Sequence, residues 1–329
     1  MKLLVTGASG FLGSYVVSKA LEQGHQVKAV VRPQTNLNNL SWTNHPAREI
    51  ITLDLTQNQG IVTALDQIDA VIHLAAAKTG DYATQYQGTV VTTENLLAAM
   101  SQTGVTRLIA ISTFSVYDYL SIPVGTTLDE NSPRETNPQT RDIYAQTKLI
   151  QEEKYREFAQ AGGQVTIIRP GMIYGKDYLW NACLGNPVSE KLWLRIGNNS
   201  IMPLIYVENC AEAIILAVES DTAIGETINL VDDDLPTQKV YVQKLQQISS
   251  QNPASIVMPL PVMLAIANLA WFIQQKLLQG KAKIPGILIP SRLNARFKPL
   301  NYSNQKAKQV LNWQPSYSLE EALAKIYHN

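Results

Sequence analysis

The feature that most constrains the fold is the opening of the chain, where a short apolar run passes directly into a glycine-rich turn. Residues 2–6 read KLLVT, and the following TGASGFLG places Gly7, Gly10 and Gly13 between a predicted strand and a predicted helix. Glycines at this spacing let the backbone approach a pyrophosphate, and the helix N-terminus adds free N–H groups. Because strand, turn, helix and second strand follow in order, the opening predicts dinucleotide binding, although a glycine triplet alone indicates only a turn.

The first half of the chain alternates between β-branched runs and helix-length segments. The later runs are HQVKAVV, REIITLDL, DAVIHLAA, TRLIAIST and QVTIIRP. Such alternation predicts an α/β fold with a Rossmann-type, doubly wound parallel sheet. After Pro170 the alternation breaks. Residues 1–170 are therefore predicted to form the dinucleotide-binding domain, with a later segment around 201–235 available to the sheet, and residues 171–329 mainly a smaller C-terminal substrate lobe.

Composition narrows the class of protein. The chain has 329 residues, with 27 basic and 27 acidic side chains, so no overall field favours nucleic acid as a partner. The two cysteines, Cys183 and Cys210, form no disulfide framework, and the four histidines are too scattered to predict a metal site. The first residues contain no signal-peptide core. A cytoplasmic protein without a metal is expected.

An uncharged stretch lies between Asn252 and Gln275. Pro259 and Pro261 interrupt its start, so the continuous helical run, Val262–Ile273, is shorter than the roughly 20 apolar residues that span a bilayer. A helix that is apolar on all sides is usually buried, so a buried or substrate-capping helix is predicted. Peripheral membrane contact through 256–279 and a subunit interface are the alternatives that are not favoured.

The pentapeptide YAQTK places Tyr144 four residues before Lys148. On a helix these side chains share one face, and a neighbouring ammonium favours the ionised form of a phenol. A tyrosine tuned in this way can exchange a proton with an alcohol or carbonyl near neutral pH. The alternative is an ordinary solvated face carrying a tyrosine and a lysine.

The end of the second predicted strand bears on the choice of dinucleotide. An NAD site usually has an acidic residue there to hold the ribose 2′-hydroxyl, whereas this chain has Val30, Val31, Arg32 and Pro33. Arg32 is suited to pair with a 2′-phosphate. NADP is therefore the preferred cofactor and NAD the alternative, unless Arg32 is simply a surface residue.

Taken together, several motifs resemble one known family. They are the glycine turn, HLAA at 73–76, STFSVYD at 112–118, the Tyr144/Lys148 pair and RPGMIYG at 169–175. The chain is identified as resembling the extended short-chain dehydrogenase/reductase family, also called the NAD-dependent epimerase/dehydratase family. It is most similar to the 3-beta-hydroxysteroid dehydrogenase-like and dihydroflavonol reductase-like branches.

The resemblance implies a role for each matching residue. Tyr144 is implied to be the general acid/base, Lys148 to lower its pKa and hold the nicotinamide ribose, and Thr113 to orient the substrate oxygen, with Ser112 as a substitute. A homodimer built on helices near 89–103 and 141–161 is also implied. The cofactor-binding residues implied are Gly7, Ser9, Gly10, Phe11, Leu12, Gly13, Arg32, Asp54, Leu55, Leu74, Ala75, Ala76, Tyr144, Lys148, Pro170, Gly171 and Ile173.

Departures from the family pattern separate the possible reactions. The dehydratases carry an Asp-Glu pair where this chain has Phe114 and Ser115, so dehydration is not expected. Nucleotide-sugar epimerases usually have an arginine where Met202 stands, although Arg195 and Lys191 lie upstream. The favoured hypothesis is reversible hydride transfer between NAD(P) and a secondary alcohol or ketone of a fairly apolar substrate. A nucleotide-sugar epimerase is the alternative, and a non-catalytic redox sensor is the second alternative.

Overall fold

The structure is a computed structural model that describes residues 1–38, 40–249, 252–276 and 285–328. Its strands are β1 (Lys2–Thr6), β2 (Gln26–Val31), β3 (Arg48–Thr52), β4 (Ala70–His73), β5 (Arg107–Ile111), β6 (Thr127–Leu128), β7 (Gln164–Pro170), β8 (Met172–Tyr174), β9 (Gly185–Ser189), β10 (Leu192–Ile196), β11 (Leu204–Tyr206), β12 (Thr227–Leu230), β13 (Ala254–Met258) and β14 (Asn301–Tyr302). Its α-helices are α1 (Phe11–Glu22), α2 (Ile61–Ala64), α3 (Tyr82–Tyr86), α4 (Thr92–Thr103), α5 (Ile143–Gln160), α6 (Val207–Glu219), α7 (Gln238–Ile248), α8 (Leu260–Lys276), α9 (Pro290–Phe297), α10 (Gln305–Leu311) and α11 (Leu319–His328).

Seven of these strands form one parallel sheet in the order β12-β7-β5-β4-β1-β2-β3. The predicted Rossmann-type doubly wound sheet is therefore confirmed. The strand order reverses between β1 and β4, and ligands of such sheets bind outside the carboxyl ends of the strands at this reversal. The glycine turn follows β1 directly. β12 pairs with β7 and lies within residues 201–235, the later segment that was predicted to join the sheet.

Both faces of the sheet are covered by helices, which explains the β-branched runs in the sequence. Side chains alternate across the strands: Leu3 and Val5 pack with α1 and α6, whereas Leu4 and Val30 pack with α4 and α5. All four are almost fully buried. Strands buried on both faces read as continuous apolar runs because neither set of alternating side chains faces water.

The rest of the chain builds smaller sheets beside the carboxyl ends of the large one. The carboxylate of Asp232 accepts hydrogen bonds from the backbone N–H of Tyr206 and from Asn209 Nδ2, each at 2.8 Å. Asn209 also donates to the carbonyl of Tyr317. Burial raises the pKa of Asp232 to about 7 against these hydrogen bonds. The YVEN stretch thus ties α6 to β12 and to the chain before α11.

The apolar stretch forms α8, and the prediction that this helix is buried is correct for one of its sides only, whereas the substrate-capping role stays a prediction. Met263 and Ala267 are buried against α9, whereas Val262, Leu269 and Phe272 are exposed. Pro261 lies in the first turn of α8, where a proline is tolerated. Residues 277–279 of the contact segment proposed from the sequence lie outside the described residues. Within the described parts of the chain, no helix is both long and apolar enough to cross a bilayer.

Candidate active site

The glycine turn has the backbone geometry that a bound pyrophosphate requires. Gly7 has φ +68°, a conformation that favours glycine. A Cβ added at Gly13 would lie 2.1 Å from the carbonyl oxygen of Gly7, so the first helical turn packs directly on the strand end. A Cβ at Gly7 would lie 3.0 Å from the backbone nitrogen of Ala75. No side chain caps the N-terminus of α1, which leaves its first-turn N–H groups available to an anion. The chain therefore fits a dinucleotide at this turn.

The other predicted cofactor residues lie at the carboxyl ends of neighbouring strands. Residues 74–76 follow β4, Pro170 ends β7, and Ile173 lies in β8, which pairs with β11. Arg32 follows β2 and is exposed. β3 ends at Thr52, two residues before Asp54, whose carboxylate accepts hydrogen bonds from both the N–H and the hydroxyl of Thr56.

Two hydroxyl groups that are 31 residues apart in sequence meet at the end of β5. Tyr144 lies in the first turn of α5, which begins after Asp142, whose side chain accepts from the N–H of Ala145. Its phenol shares a hydrogen bond with the hydroxyl of Thr113, the residue two positions after β5. Thr113 Oγ1 also accepts the N–H of Ser115 at 3.2 Å, which fixes its position. The site therefore brings together a phenol and an oriented hydroxyl.

The prediction that Lys148 lowers the pKa of the Tyr144 phenol is wrong for the side chains that surround the phenol in this structure. Burial raises the pKa of Tyr144 to about 12, against the lowering effect of its hydrogen bond with Thr113. The charge of Asp142 raises it further. The phenol is therefore protonated at neutral pH and is equipped to donate a proton.

Lys148 follows Tyr144 by one turn of α5, and its ammonium is held by other groups. It donates to the carbonyl of Ile111, the last residue of β5, at 2.6 Å, and to Gln151 Oε1. Lys148 is 3% exposed, which excludes the alternative of a solvated helix face. Burial lowers its pKa to about 7, although the charge of Glu152 raises it.

A buried chain of hydrogen bonds leads from this lysine to the glycine turn. Gln151 Nε2 donates to Thr93 Oγ1 at 2.8 Å, and Thr93 donates to the carbonyl of Thr89. The His73 Nε2 atom, 2.9 Å from Thr93 Oγ1, must then be the donor, and its Nδ1 accepts from Thr6 Oγ1 at 2.7 Å. Burial lowers the pKa of His73 to about 3, so this histidine is neutral and has a fixed tautomer. The chain couples the position of α5 to the residue that precedes Gly7.

A second polar cluster on the same helix separates the roles of the two adjacent hydroxyl residues. Ser112 Oγ donates to Glu152 Oε2 at 2.6 Å. Glu152 is fully buried and also accepts from Arg169, Arg134 and Arg156. Because Ser112 is committed to this carboxylate, Thr113 is the hydroxyl that faces Tyr144.

Several site residues were not found from the sequence. Gln151, Glu152 and Thr93 have no signature of their own, although positions 151 and 152 follow Tyr144 by two helical turns and share its face. Lys78 lies close enough for its charge to lower the pKa of Lys148. Arg292 of α9 lies 3.6 Å from Asp142, so α9 covers the N-terminus of α5.

The three positions considered for binding a substrate diphosphate lie in different surroundings: two are buried and one is in a turn. Met202, where the epimerases usually carry an arginine, is 1% exposed and packs in an apolar cluster with Leu204 and Tyr241. Arg195 is also buried, and it donates to Asn198 Oδ1 at 2.8 Å. Lys191 lies in the turn between β9 and β10.

The fold and the site define a Rossmann-type nucleotide-binding protein in which a tyrosine and a lysine on one helix stand beside the end of the central strands. The sequence model of the NAD dependent epimerase/dehydratase family matches residues 3–230. The chain belongs to this family, and the resemblance found in its motifs is confirmed.

Its relatives include both reductases and dehydrogenases. A 2-alkyl-3-oxoalkanoate reductase of Stenotrophomonas maltophilia is 30% identical over 67% of this chain and 66% of that protein. A 3-beta-hydroxysteroid dehydrogenase of Mycolicibacterium neoaurum is 26% identical over 98% of this chain and 90% of that protein. The fold is also similar to the structure of a UDP-glucuronic acid 4-epimerase from Bacillus cereus. The superposition covers 100% of this chain and 98% of the epimerase chain, with a TM-score of 0.75 and 21% sequence identity. At that identity the likeness concerns the fold.

Proposed function

We propose that the protein is an NAD(P)-dependent oxidoreductase that interconverts a secondary alcohol and a ketone on a fairly apolar substrate. The observation that carries this proposal is the meeting of Tyr144 with Thr113 at the end of β5, where the buried ammonium of Lys148 is also held. The printed names of the two curated relatives, an oxoalkanoate reductase and a hydroxysteroid dehydrogenase, support a ketone or an alcohol on an apolar carbon skeleton.

A nicotinamide dinucleotide at the glycine turn supplies hydride in the direction of reduction and accepts it in the direction of oxidation. The phenol of Tyr144 donates its proton to the substrate oxygen as negative charge develops there, and Thr113 donates a second hydrogen bond. A phenol with a pKa of about 12 is protonated at neutral pH, which suits the reductive direction. The ammonium of Lys148 is held at the end of β5 by its hydrogen bond to the carbonyl of Ile111.

The alternative reactions have less support from the same residues. Dehydration has no carboxylate pair, because Phe114 is packed in an apolar cluster at the position of the expected acid. A nucleotide-sugar epimerase needs cations for the diphosphate, whereas Met202 is buried and Arg195 is already bonded. A redox sensor without catalysis does not need both Tyr144 and Lys148.

Turnover measurements with a substrate panel test the proposal. Purified protein with NADPH or NADH is expected to reduce apolar ketones, including 2-alkyl-3-oxo acids and 3-oxosteroids, and to leave nucleotide sugars unchanged. Tyr144→Phe is expected to lower turnover by about 10²–10⁴-fold without changing cofactor binding. Tyr82→Phe, which alters an exposed phenol, is the matched control. Activity on nucleotide sugars alone would favour the epimerase, and unchanged turnover in Tyr144→Phe would favour the sensor.

Our proposal includes NADP as the preferred dinucleotide. Arg32 follows β2, is exposed and forms no ion pair among those found in the described residues, so it is free to pair with a 2′-phosphate. Arg32→Ala is expected to weaken NADPH binding about 10-fold or more and to leave NADH binding within about 2-fold, because a charge-assisted hydrogen bond is worth about 1.5–3 kcal/mol. Fluorescence titration of both nucleotides measures this, and equal losses would contradict it.

The quaternary state and the location are part of the same proposal. A homodimer would use helices that include α4 and α5, and sedimentation analysis would test it. A cytoplasmic location agrees with Cys183 and Cys210, which are both buried free thiols.

A further inference from the structure

The outer face of α8 is an apolar surface that the described parts of the chain leave exposed. Each of its members has another member three or four residues away, so they form one stripe along the helix. This stripe, here called the α8 face, consists of Val262, Ile266, Leu269, Phe272 and Ile273. Leu269 is 61% exposed and Phe272 is 58% exposed, although the inner side of the same helix is buried. Contiguous exposed apolar side chains of this size mark an interaction surface.

The segment of the sequence that contains α8 carries basic side chains and no acidic ones. Between Asp234 and Glu320 the sequence has 85 residues with no acidic side chain and ten basic ones, although the whole chain is neutral. Four of the ten pair with acidic side chains from other parts of the chain, namely Lys244, Arg292, Lys306 and Lys308. Lys276 follows Leu269 by seven residues and therefore continues the α8 face at the end of the helix. Lys276 is exposed and pairs with none of the acidic side chains in the described ranges. In sequence, Lys281 and Lys283 follow shortly after it.

We propose that the α8 face docks the protein on the surface of an anionic lipid bilayer. An interfacial helix buries an apolar stripe at the boundary between headgroups and acyl chains, and flanking lysines gain from the negative surface potential. The stem of Lys276 packs along the apolar boundary while its ammonium reaches the headgroups. An acid-free stretch suits this partner, whereas a second copy that docked through the same α8 face would bring a second Lys276 and no acidic side chain from residues 235–319 to pair with it.

The proposal is independent of the reaction assigned to the active site. Its test is cosedimentation of the full chain with phosphatidylcholine vesicles, prepared with and without phosphatidylglycerol. We expect binding to the vesicles that contain phosphatidylglycerol and weaker binding when sodium chloride is raised. The double variant Leu269→Gln/Phe272→Gln is expected to bind them at least about 10-fold more weakly. Lys276→Glu is expected to lower binding about 5-fold or more.

Leu120→Gln is the matched control, because Leu120 is 54% exposed and lies outside the α8 face. Circular dichroism melts check that each variant is folded, which is expected because the replaced side chains are exposed. The proposal is overturned if wild type fails to bind vesicles that contain phosphatidylglycerol, or if the double variant binds as well as Leu120→Gln. It is also overturned if the α8 face instead supports concentration-dependent dimerisation that the double variant abolishes, without vesicle binding.

Discussion

Replacing Glu152 by glutamine tests how a buried carboxylate beside the candidate active site supports the fold. Glu152 is fully buried and receives hydrogen bonds from Ser112 and Arg169. Burial by itself raises the pKa of this carboxyl, but the hydrogen bonds and the charge of Arg169 outweigh burial and hold the pKa at about 2. Compared with an ordinary value of 4.5, this difference corresponds to about 3 kcal/mol of stability.

The variant also leaves Arg169 buried without its counter-charge. Arg169 is 1% exposed, and removing one partner of a buried ion pair costs about 3–5 kcal/mol. We therefore expect Glu152→Gln to lose about 3–5 kcal/mol of unfolding free energy at pH 7, as measured by urea titration followed by circular dichroism. Because the folded pKa lies below the unfolded one, the stabilisation is fully present above about pH 4.5 and is lost as pH falls toward 2. The stability gap between wild type and variant should narrow across that window.

The adjacent residue provides the control. Glu153 is 55% exposed and lies 3.7 Å from Arg134, so its ion pair is a surface one. Glu153→Gln is expected to cost less than about 1 kcal/mol. If Glu152→Gln costs no more than Glu153→Gln, or if its loss does not change with pH, the reasoning about the buried network is refuted.

Two further variants probe the lysine and the glycine turn. Burial lowers the pKa of Lys148 to about 7 from 10.5, so the unfolded chain binds more protons across that range and wild-type stability should rise with pH there. Lys148→Met is expected to remove this rise of stability with pH and to raise the melting temperature at pH 7. It is also expected to lower turnover about 100-fold or more. A variant less stable than wild type at pH 7 would contradict this reasoning. Gly13→Ala places a Cβ 2.1 Å from the Gly7 carbonyl oxygen and is expected to weaken NADPH binding about 10-fold or more in fluorescence titration. Gly24→Ala is the control, because it strains a backbone at φ +82° at the other end of α1, where the Cβ meets nothing within 4 Å. Equal binding losses in the two variants would argue against the turn.

The sequence predicted the central sheet well because its signal is local. β1, β2, β4, β5 and β7 are buried on both faces, so each appears as an apolar run that needs no knowledge of its neighbours. The glycine turn was equally accessible, because Gly7 and Gly13 are required by backbone geometry alone. The sequence could not predict in this way which side of α8 packs against the rest of the protein. A helix that is apolar on every side gives no sign of which side packs, and here only the side with Met263 and Ala267 does so.

The site was predictable in its members but not in their interactions. Spacing placed Tyr144 and Lys148 on one helix face, but it could not reveal that Ile111 and Gln151 hold the ammonium. The expected lowering of the phenol pKa failed because burial of Tyr144 raises that pKa. Similarly, the sequence left Ser112 and Thr113 as alternatives, and only the buried carboxylate of Glu152 separates them.

The burial of one face of α5 explains why the sequence predicted the site residues and why it did not predict their interactions. Tyr144, Lys148, Gln151 and Glu152 are spaced so that they share one side of α5, and Lys148, Gln151 and Glu152 are at most 3% exposed. A polar face of this kind would ordinarily point to solvent, because burying it requires that every group finds a partner. Here two clusters provide those partners: the chain through Thr93 and His73, and the arginines around Glu152. Burying the polar face of α5 lowers the stability of the fold. Buried titratable groups of this kind cluster at functional sites, which supports the proposal that this face carries the chemistry.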